Sequence, residues 1–153
     1  MKYKIPFMTL LSFNIIAISA FGWFFINGTK QRGVDERTSI ILSTDEKDYI
    51  LYEMRGLLEA IGEIVTALSE GEFAKVSSAA RLVGSEHMGG EPISLVAKLP
   101  IEFKKLGMET HELFDLLAVE AEDMRDQDVT LDQLGNIINN CTTCHSAYQL
   151  VTN

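Results

Sequence analysis

The chain has 153 residues, 46% of them hydrophobic, which is enough for one globular domain with an N-terminal appendage. All 22 acidic residues lie after Arg32, against nine of the 13 basic residues, so residues 33–153 carry a formal charge of −13. We expect no nucleic-acid partner, because binding to phosphates requires a basic face.

An uncharged apolar stretch, residues 5–26, follows a short basic start. A helix of this length, with a rise of ~1.5 Å per residue, crosses a hydrocarbon core of roughly 30 Å. A signal peptide cut at Ala20 is the alternative, but Ile18 stands where such a cut needs a small residue. We therefore expect residues 1–27 to form a membrane anchor or an uncleaved signal, with Trp23 at the outer membrane interface.

Residues 28–42 are mostly polar, and this composition predicts a tether between the membrane and the domain. From residue 43 to residue 153 we expect the domain itself. Its hydrophobic periodicity is helical throughout, with no convincing alternation of a strand.

The first long helix of the domain is predicted to begin with a capping box formed by Ser43 and Glu46. It should end near Gly71, because glycine suits a helix C-terminus. Between them runs an apolar stripe at helical spacing, made of Ile50, Leu51, Met54, Leu57, Leu58, Ile61, Ile64, Val65 and Leu68.

Three more amphipathic helices follow. The second is predicted over residues 72–86, the third from Pro100 to about Asp123, and the fourth from a second capping box at Thr130 and Gln133. Four such helices with short connections predict an all-α fold, an antiparallel four-helix bundle preceded by one transmembrane helix. The apolar face of the fourth helix carries Leu131, Leu134, Ile137, Ile138, Cys141, Cys144, His145 and Tyr148.

The fourth helix contains the pattern C-x-x-C-H, formed by Cys141, Cys144 and His145. This pattern is typical of c-type haem attachment, in which two thiols become thioethers and the imidazole binds the iron. On a helix the three residues share one face, so all can reach one porphyrin. We therefore expect one covalent haem c.

Other uses of the two cysteines are less well supported. A thioredoxin-type dithiol would open a helix after a strand, and none is predicted there. Zinc needs four ligands, and beyond the motif only His87, His111 and carboxylates are available.

With this motif in its last helix, the segment 43–150 resembles the class II c-type cytochromes, the cytochrome c-prime family. The resemblance implies a bundle whose C-terminal helix holds the haem, and it often implies a homodimer through the first two helices. The sequence departs from the family at Ile50, where an Arg is usual, and at Gln149, where a basic residue is usual.

In that family the sixth iron ligand comes from the first helix, where Met54 stands here. A Met ligand implies low-spin iron and electron transfer, whereas an apolar residue implies five-coordinate iron that binds NO or CO. A Met on an apolar stripe is more often a core residue, so both alternatives stay open. Arg55, Phe114 and Tyr148 are further candidate haem contacts.

The sequence thus predicts a c-type cytochrome that carries single electrons and is not an enzyme, because no catalytic constellation stands out. Covalent haem attachment occurs outside the cytoplasm, which places the domain on the periplasmic side of the bacterial inner membrane, or in the soluble periplasm after cleavage. A redox protein with a basic surface is the expected partner. The alternatives are a gas-binding haem protein with Leu57, Leu58 or Ile61 over the iron, and a bundle without haem.

Overall fold

A computed structural model gives the fold of the protein and describes residues 4–152, with the side chains of residues 7–152. Residues 1–3 of the predicted anchor and Asn153 lie outside the described residues. About three quarters of the described chain is helical, in six α-helices. Their bounds are α1 Lys4–Asn27, α2 Thr44–Ser69, α3 Phe73–Arg81, α4 Ile93–Lys98, α5 Ile101–Asp123 and α6 Gln127–Ala147.

The apolar helix α1 projects away from the rest of the protein. Over Phe7–Asn27 it is long and apolar enough to cross a membrane, and the domain buries none of its most apolar window. A signal sequence near an N-terminus has the same properties. The structure therefore agrees with either form of the predicted N-terminal segment.

The ends of α2 follow local signals in the sequence. The Ser43 amide donates to Glu46 Oε2 at 2.8 Å, and the Glu46 amide donates to Ser43 Oγ at 3.3 Å. After the last turn, Gly71 adopts a φ of +72°, which glycine takes at low cost. The predicted capping box and helix end are both confirmed.

The second capping box, predicted at Thr130, is wrong. Helix α6 begins one turn earlier, where Asp126 Oδ1 accepts from the amides of Asp128 and Val129 at 2.9 and 3.1 Å. Asp126 is itself a good N-cap residue, so its carboxylate satisfies the first donors. The Thr130 hydroxyl instead donates to the carbonyl of Asp126 within the helix.

Four helices contribute to one hydrophobic core. Helix α3 packs against α2 and α5, and α5 packs against α6. The main core is made of Ala60, Ile64, Ala67 and Leu68 of α2, Val76, Ala79 and Ala80 of α3, Phe114, Leu117, Ala118 and Ala121 of α5, and Leu134 and Ile137 of α6.

A small sheet corrects the expectation of helices alone. Strands β1 (Lys30–Arg32), β2 (Thr38–Leu42) and β3 (Tyr148–Thr152) are arranged in that order. The pair β1–β2 is antiparallel, and β2–β3 is parallel. Tyr148, expected on the fourth helix, begins β3 instead. The sequence pattern did not reveal this strand, because a strand of five residues is stabilised only by pairing with a partner that lies far along the chain.

The segment 28–42, predicted as a tether, therefore belongs to the folded domain. Ile40 and Leu42 of β2 are 0% and 1% exposed. They join Ile50, Leu95 and Phe103 in a second core, at the end of the domain where α2 begins and α6 ends. Because α1 ends at Asn27 and β1 begins at Lys30, only Gly28 and Thr29 lie between α1 and the sheet.

Candidate functional site

A pocket of about 190 Å³ opens at this second core. It lies where the first turns of α2 and α5 meet the end of α6 and strand β3. Its lining brings together Met54, Cys144 and His145, although Met54 and Cys144 are 90 residues apart in the chain. The remaining lining residues are Arg37, Lys47, Leu51, Phe103, Tyr148, Gln149 and Leu150.

The C-x-x-C-H motif occupies the last turns of α6. Both cysteines are free thiols and partly buried. Cys141 packs against the main core, and Cys144 packs against the second core. His145 is exposed at the pocket, so its imidazole is not enclosed by the core. The motif thus joins the main core to the pocket.

Burial changes the chemistry of the thiols. It raises the pKa of Cys144 to about 11, with a smaller contribution from the neighbouring Cys141. Burial also raises the pKa of Cys141. At neutral pH both thiols are protonated in this fold, and the nucleophilic thiolate is scarce.

Met54 lies on the face of α2 that lines the pocket. Lys47 and Leu51 share this face, since the spacing of the three residues is helical. The Met54 side chain is partly buried against the second core. Met54 therefore both lines the pocket and packs against the second core.

The apolar residues of α2 that the gas-binding alternative would require at the iron do not lie at this pocket. Leu57 and Ile61 pack against the main core, and Leu58 is 67% exposed. None of them lines the pocket. Leu51 is the aliphatic side chain from α2 that does.

Arg37 connects the β-sheet to the end of the motif helix. Its Nη1 donates to the carbonyls of His145 and Tyr148 at 3.3 and 3.5 Å, and its Nη2 donates to Gln149 Oε1 at 3.2 Å. Its Nε donates to Asp35 Oδ2 at 2.7 Å. A guanidinium beside the last carbonyls of a helix is favourable, because these carbonyls carry the negative end of the helix dipole.

The three candidate haem contacts are placed differently. Tyr148 lines the pocket and meets Phe103 edge to face, with ring centroids 5.4 Å apart. Phe114 is 0% exposed within the main core and does not line the pocket. Arg55 is exposed on α2, and the cations at the pocket are Arg37 and Lys47.

The other histidines lie outside this pocket. His111 Nδ1 is 2.7 Å from the carbonyl of Val83, and His87 is exposed in a 3-10 turn. Among the residues that the structure describes, no three His, Cys, Asp or Glu side chains are grouped as ligands for a metal ion.

The residues at the pocket fit a covalent haem. Cys144 of the pocket would anchor it together with Cys141, which lies one turn earlier against the main core. The imidazole of His145 and the thioether of Met54 would be iron ligands, and two cations suit carboxylate substituents. Sequence reasoning missed Arg37, because it lies 108 residues from the motif. Lys47 could have been found from its helical spacing to Met54.

Comparison of the chain with protein-family models, curated proteins and solved structures found no match.

Proposed function

We propose that this chain is a c-type cytochrome that carries single electrons through one haem attached to Cys141 and Cys144. His145 and Met54 would supply the iron ligands in this proposal. One observation carries it: Met54 lines the same pocket as Cys144 and His145, although Met54 and Cys144 are 90 residues apart in the chain.

The architecture in this proposal is the four-helix bundle of the cytochrome c-prime type, built from α2, α3, α5 and α6. Their shared core supports it. The pocket of about 190 Å³ is smaller than the roughly 300–1,000 Å³ of most ligand sites, so a haem would part α2 from the end of α6. This separation would open the second core, against which Met54 and Cys144 both pack.

When bound, the haem supplies the one-electron couple, and the residues of the chain determine its potential. Met and His ligation raises the potential. Arg37 and Lys47 place positive charge at the pocket, which favours the reduced state and suits the haem carboxylates. In this proposal Arg37, which donates to Gln149, supplies the positive charge that the cytochrome c-prime family often has at residue 149.

Attachment outside the cytoplasm would place the domain on the periplasmic side of the membrane. The charge of −13 over residues 33–153 supports a redox partner with a basic surface, whose association would weaken as salt increases. Binding of NO or CO by five-coordinate iron is less well supported, because its three candidate cap residues do not line the pocket.

The first test of the proposal is attachment. The chain is expressed with cytochrome maturation proteins, and covalent haem is measured by mass and by the pyridine haemochrome spectrum. We expect one haem per chain, and none in the variant Cys141→Ser/Cys144→Ser. A wild-type chain without covalent haem would overturn the proposal.

The second test is the spin state. We expect low-spin oxidised iron in the wild type and high-spin iron in Met54→Leu, a change that keeps volume nearly constant. Met108→Leu is the matched control, since Met108 is on α5, 47% exposed, and away from the pocket. High-spin wild-type iron that binds CO when reduced would instead support the gas-binding alternative.

A further inference from the structure

The apolar helix α1 is joined to the domain by specific contacts. The Thr29 amide donates to the carbonyl of Lys98 at 2.8 Å, and the Thr29 hydroxyl donates to that of Ile41 at 2.7 Å. Lys104 Nζ donates to the carbonyl of Phe25 at 2.8 Å and lies 3.7 Å from the centroid of the Phe25 ring. These contacts hold the last turn of α1 from two directions.

Gly28 allows the end of α1 to lie directly against the end of α4. It adopts a φ of +63°, and a Cβ at this position would lie 2.1 Å from the carbonyl oxygen of Lys98. A larger residue is therefore both strained and blocked. The chain leaves α1 directly against α4, with no free linker between them.

The junction and the pocket lie at the same end of the domain. Phe103, which lines the pocket, precedes Lys104 in α5. Along β2, Ile41 contacts Thr29, and Thr38 pairs with Tyr148 of the pocket. Three strand residues separate these points, or about 10 Å. From Met54, α2 continues for 15 residues to Ser69, or about 22 Å further.

The two ends of the domain also differ in charge. Lys30 is exposed beside the junction, and Lys104 also lies there, whereas the exposed Arg32 forms an ion pair with Glu36. Lys98 and Lys105 form ion pairs with Glu46 and Glu102, so this end carries little excess acid. Residues 56–90 and 106–153, outside the segments that form the junction, carry 14 of the 22 acidic residues and three of the 13 basic residues. Anionic lipid repels this acidic excess.

We propose that this end of the domain docks on the bilayer surface, with the Met54–Cys144–His145 pocket beside the lipid headgroups. This rests on the retention of α1 as an anchor, which is part of the proposed localisation. Residues Gly28, Thr29 and Lys104 fix the orientation, and Lys30 contacts anionic headgroups. An electron partner that uses the pocket must then also reach the membrane surface.

The test uses the full chain in nanodiscs that contain anionic lipid, with a Gd³⁺ chelate on some headgroups. Trifluoromethylphenylalanine is encoded at Ser146, exposed beside the pocket, or at Glu70, exposed at the far end of α2. Fluorine line broadening is compared between Gd³⁺ and diamagnetic La³⁺ lipid, so any haem iron contributes equally to both measurements. The result is therefore independent of whether haem is attached.

We expect the broadening caused by Gd³⁺ to be about tenfold or more greater at 146 than at 70, given the extra ~22 Å along α2. Gly28→Ala, and separately a six-residue Gly-Ser insertion after Asn27, should reduce this difference. Gly62→Ala is the control, because its Cβ meets no other atom within 4 Å. Equal broadening at both positions in the wild type, or loss of α1 by cleavage in cells, would overturn the proposal.

Discussion

Replacement of Ile40 by Ala tests whether strand β2 is part of the fold. Ile40 is 0% exposed and packs in the second core with Ile50, Leu95 and the pocket residues Met54 and Cys144. Truncation of a fully buried Ile costs about 2–5 kcal/mol, because contacts are lost and a cavity is left. Ala also fits a central strand less well, by up to ~1 kcal/mol.

The expected loss is large for a domain of this size, whose whole stability is about 5–15 kcal/mol. It is measured by urea unfolding of the full chain in nanodiscs, followed by helical circular dichroism. The midpoint should fall while the dependence on urea stays constant, because the same surface is exposed on unfolding. In thermal unfolding, each kcal/mol lost from the free energy of unfolding should lower the melting temperature by about 3–5 °C.

Val34→Ala is the matched control, because Val34 lies in the same segment and is fully exposed. It should change stability by less than about 0.5 kcal/mol. If Ile40→Ala falls within this range too, residues 28–42 are a tether after all, and the sheet adds nothing to the fold.

Three further results are expected. Arg37→Met should lower the free energy of unfolding by about 1 kcal/mol and speed amide hydrogen exchange in β3, because the carbonyl of His145 loses its donor. Unchanged exchange would show that Arg37 does not hold the end of α6 against the sheet. Glu46→Gln should cost at most about 1 kcal/mol at pH 7. The hydrogen bond from Lys98 lowers the pKa of Glu46 below 4.5, so this stabilisation is present above pH 4.5 and is lost as the pH falls through the lowered value; a cost that persists in acid contradicts the ion pair. In the folded chain without haem, a pKa of about 11 should make alkylation of Cys144 at pH 8 about 100-fold slower than that of a thiol with the ordinary value of 9.0. Urea should abolish this protection, and equal rates in both states would show that the thiol is not buried.

Local signals in the sequence were sufficient for most helix ends. The capping box at Ser43 and the turn at Gly71 depend on groups within four residues of one another, so they are legible without a fold. The error at Thr130 has the same origin, because Asp126 offered an equally good local cap and only one of the two could begin the helix. The apolar helix α1 also followed from composition alone.

The tertiary structure decided which residues share the pocket. Arg37 donates to the carbonyl of His145, which is 108 residues away in the sequence, and β2 pairs with β3 at a similar sequence separation. No periodicity in the sequence encodes such pairings. Met54 was proposed from a resemblance, and its position at the pocket depends on how α2 and α6 meet at one end of the domain.

The sequence by itself determined a helical domain, an apolar N-terminal segment and a motif whose spacing suits haem, because each depends on neighbouring residues. Only the tertiary structure showed that the polar segment 28–42 is folded, that Arg37 caps the motif helix, and that the pocket and the end of α1 lie at the same end of the domain. The physical reason is that strand pairing and core packing are stabilised by contacts between distant residues.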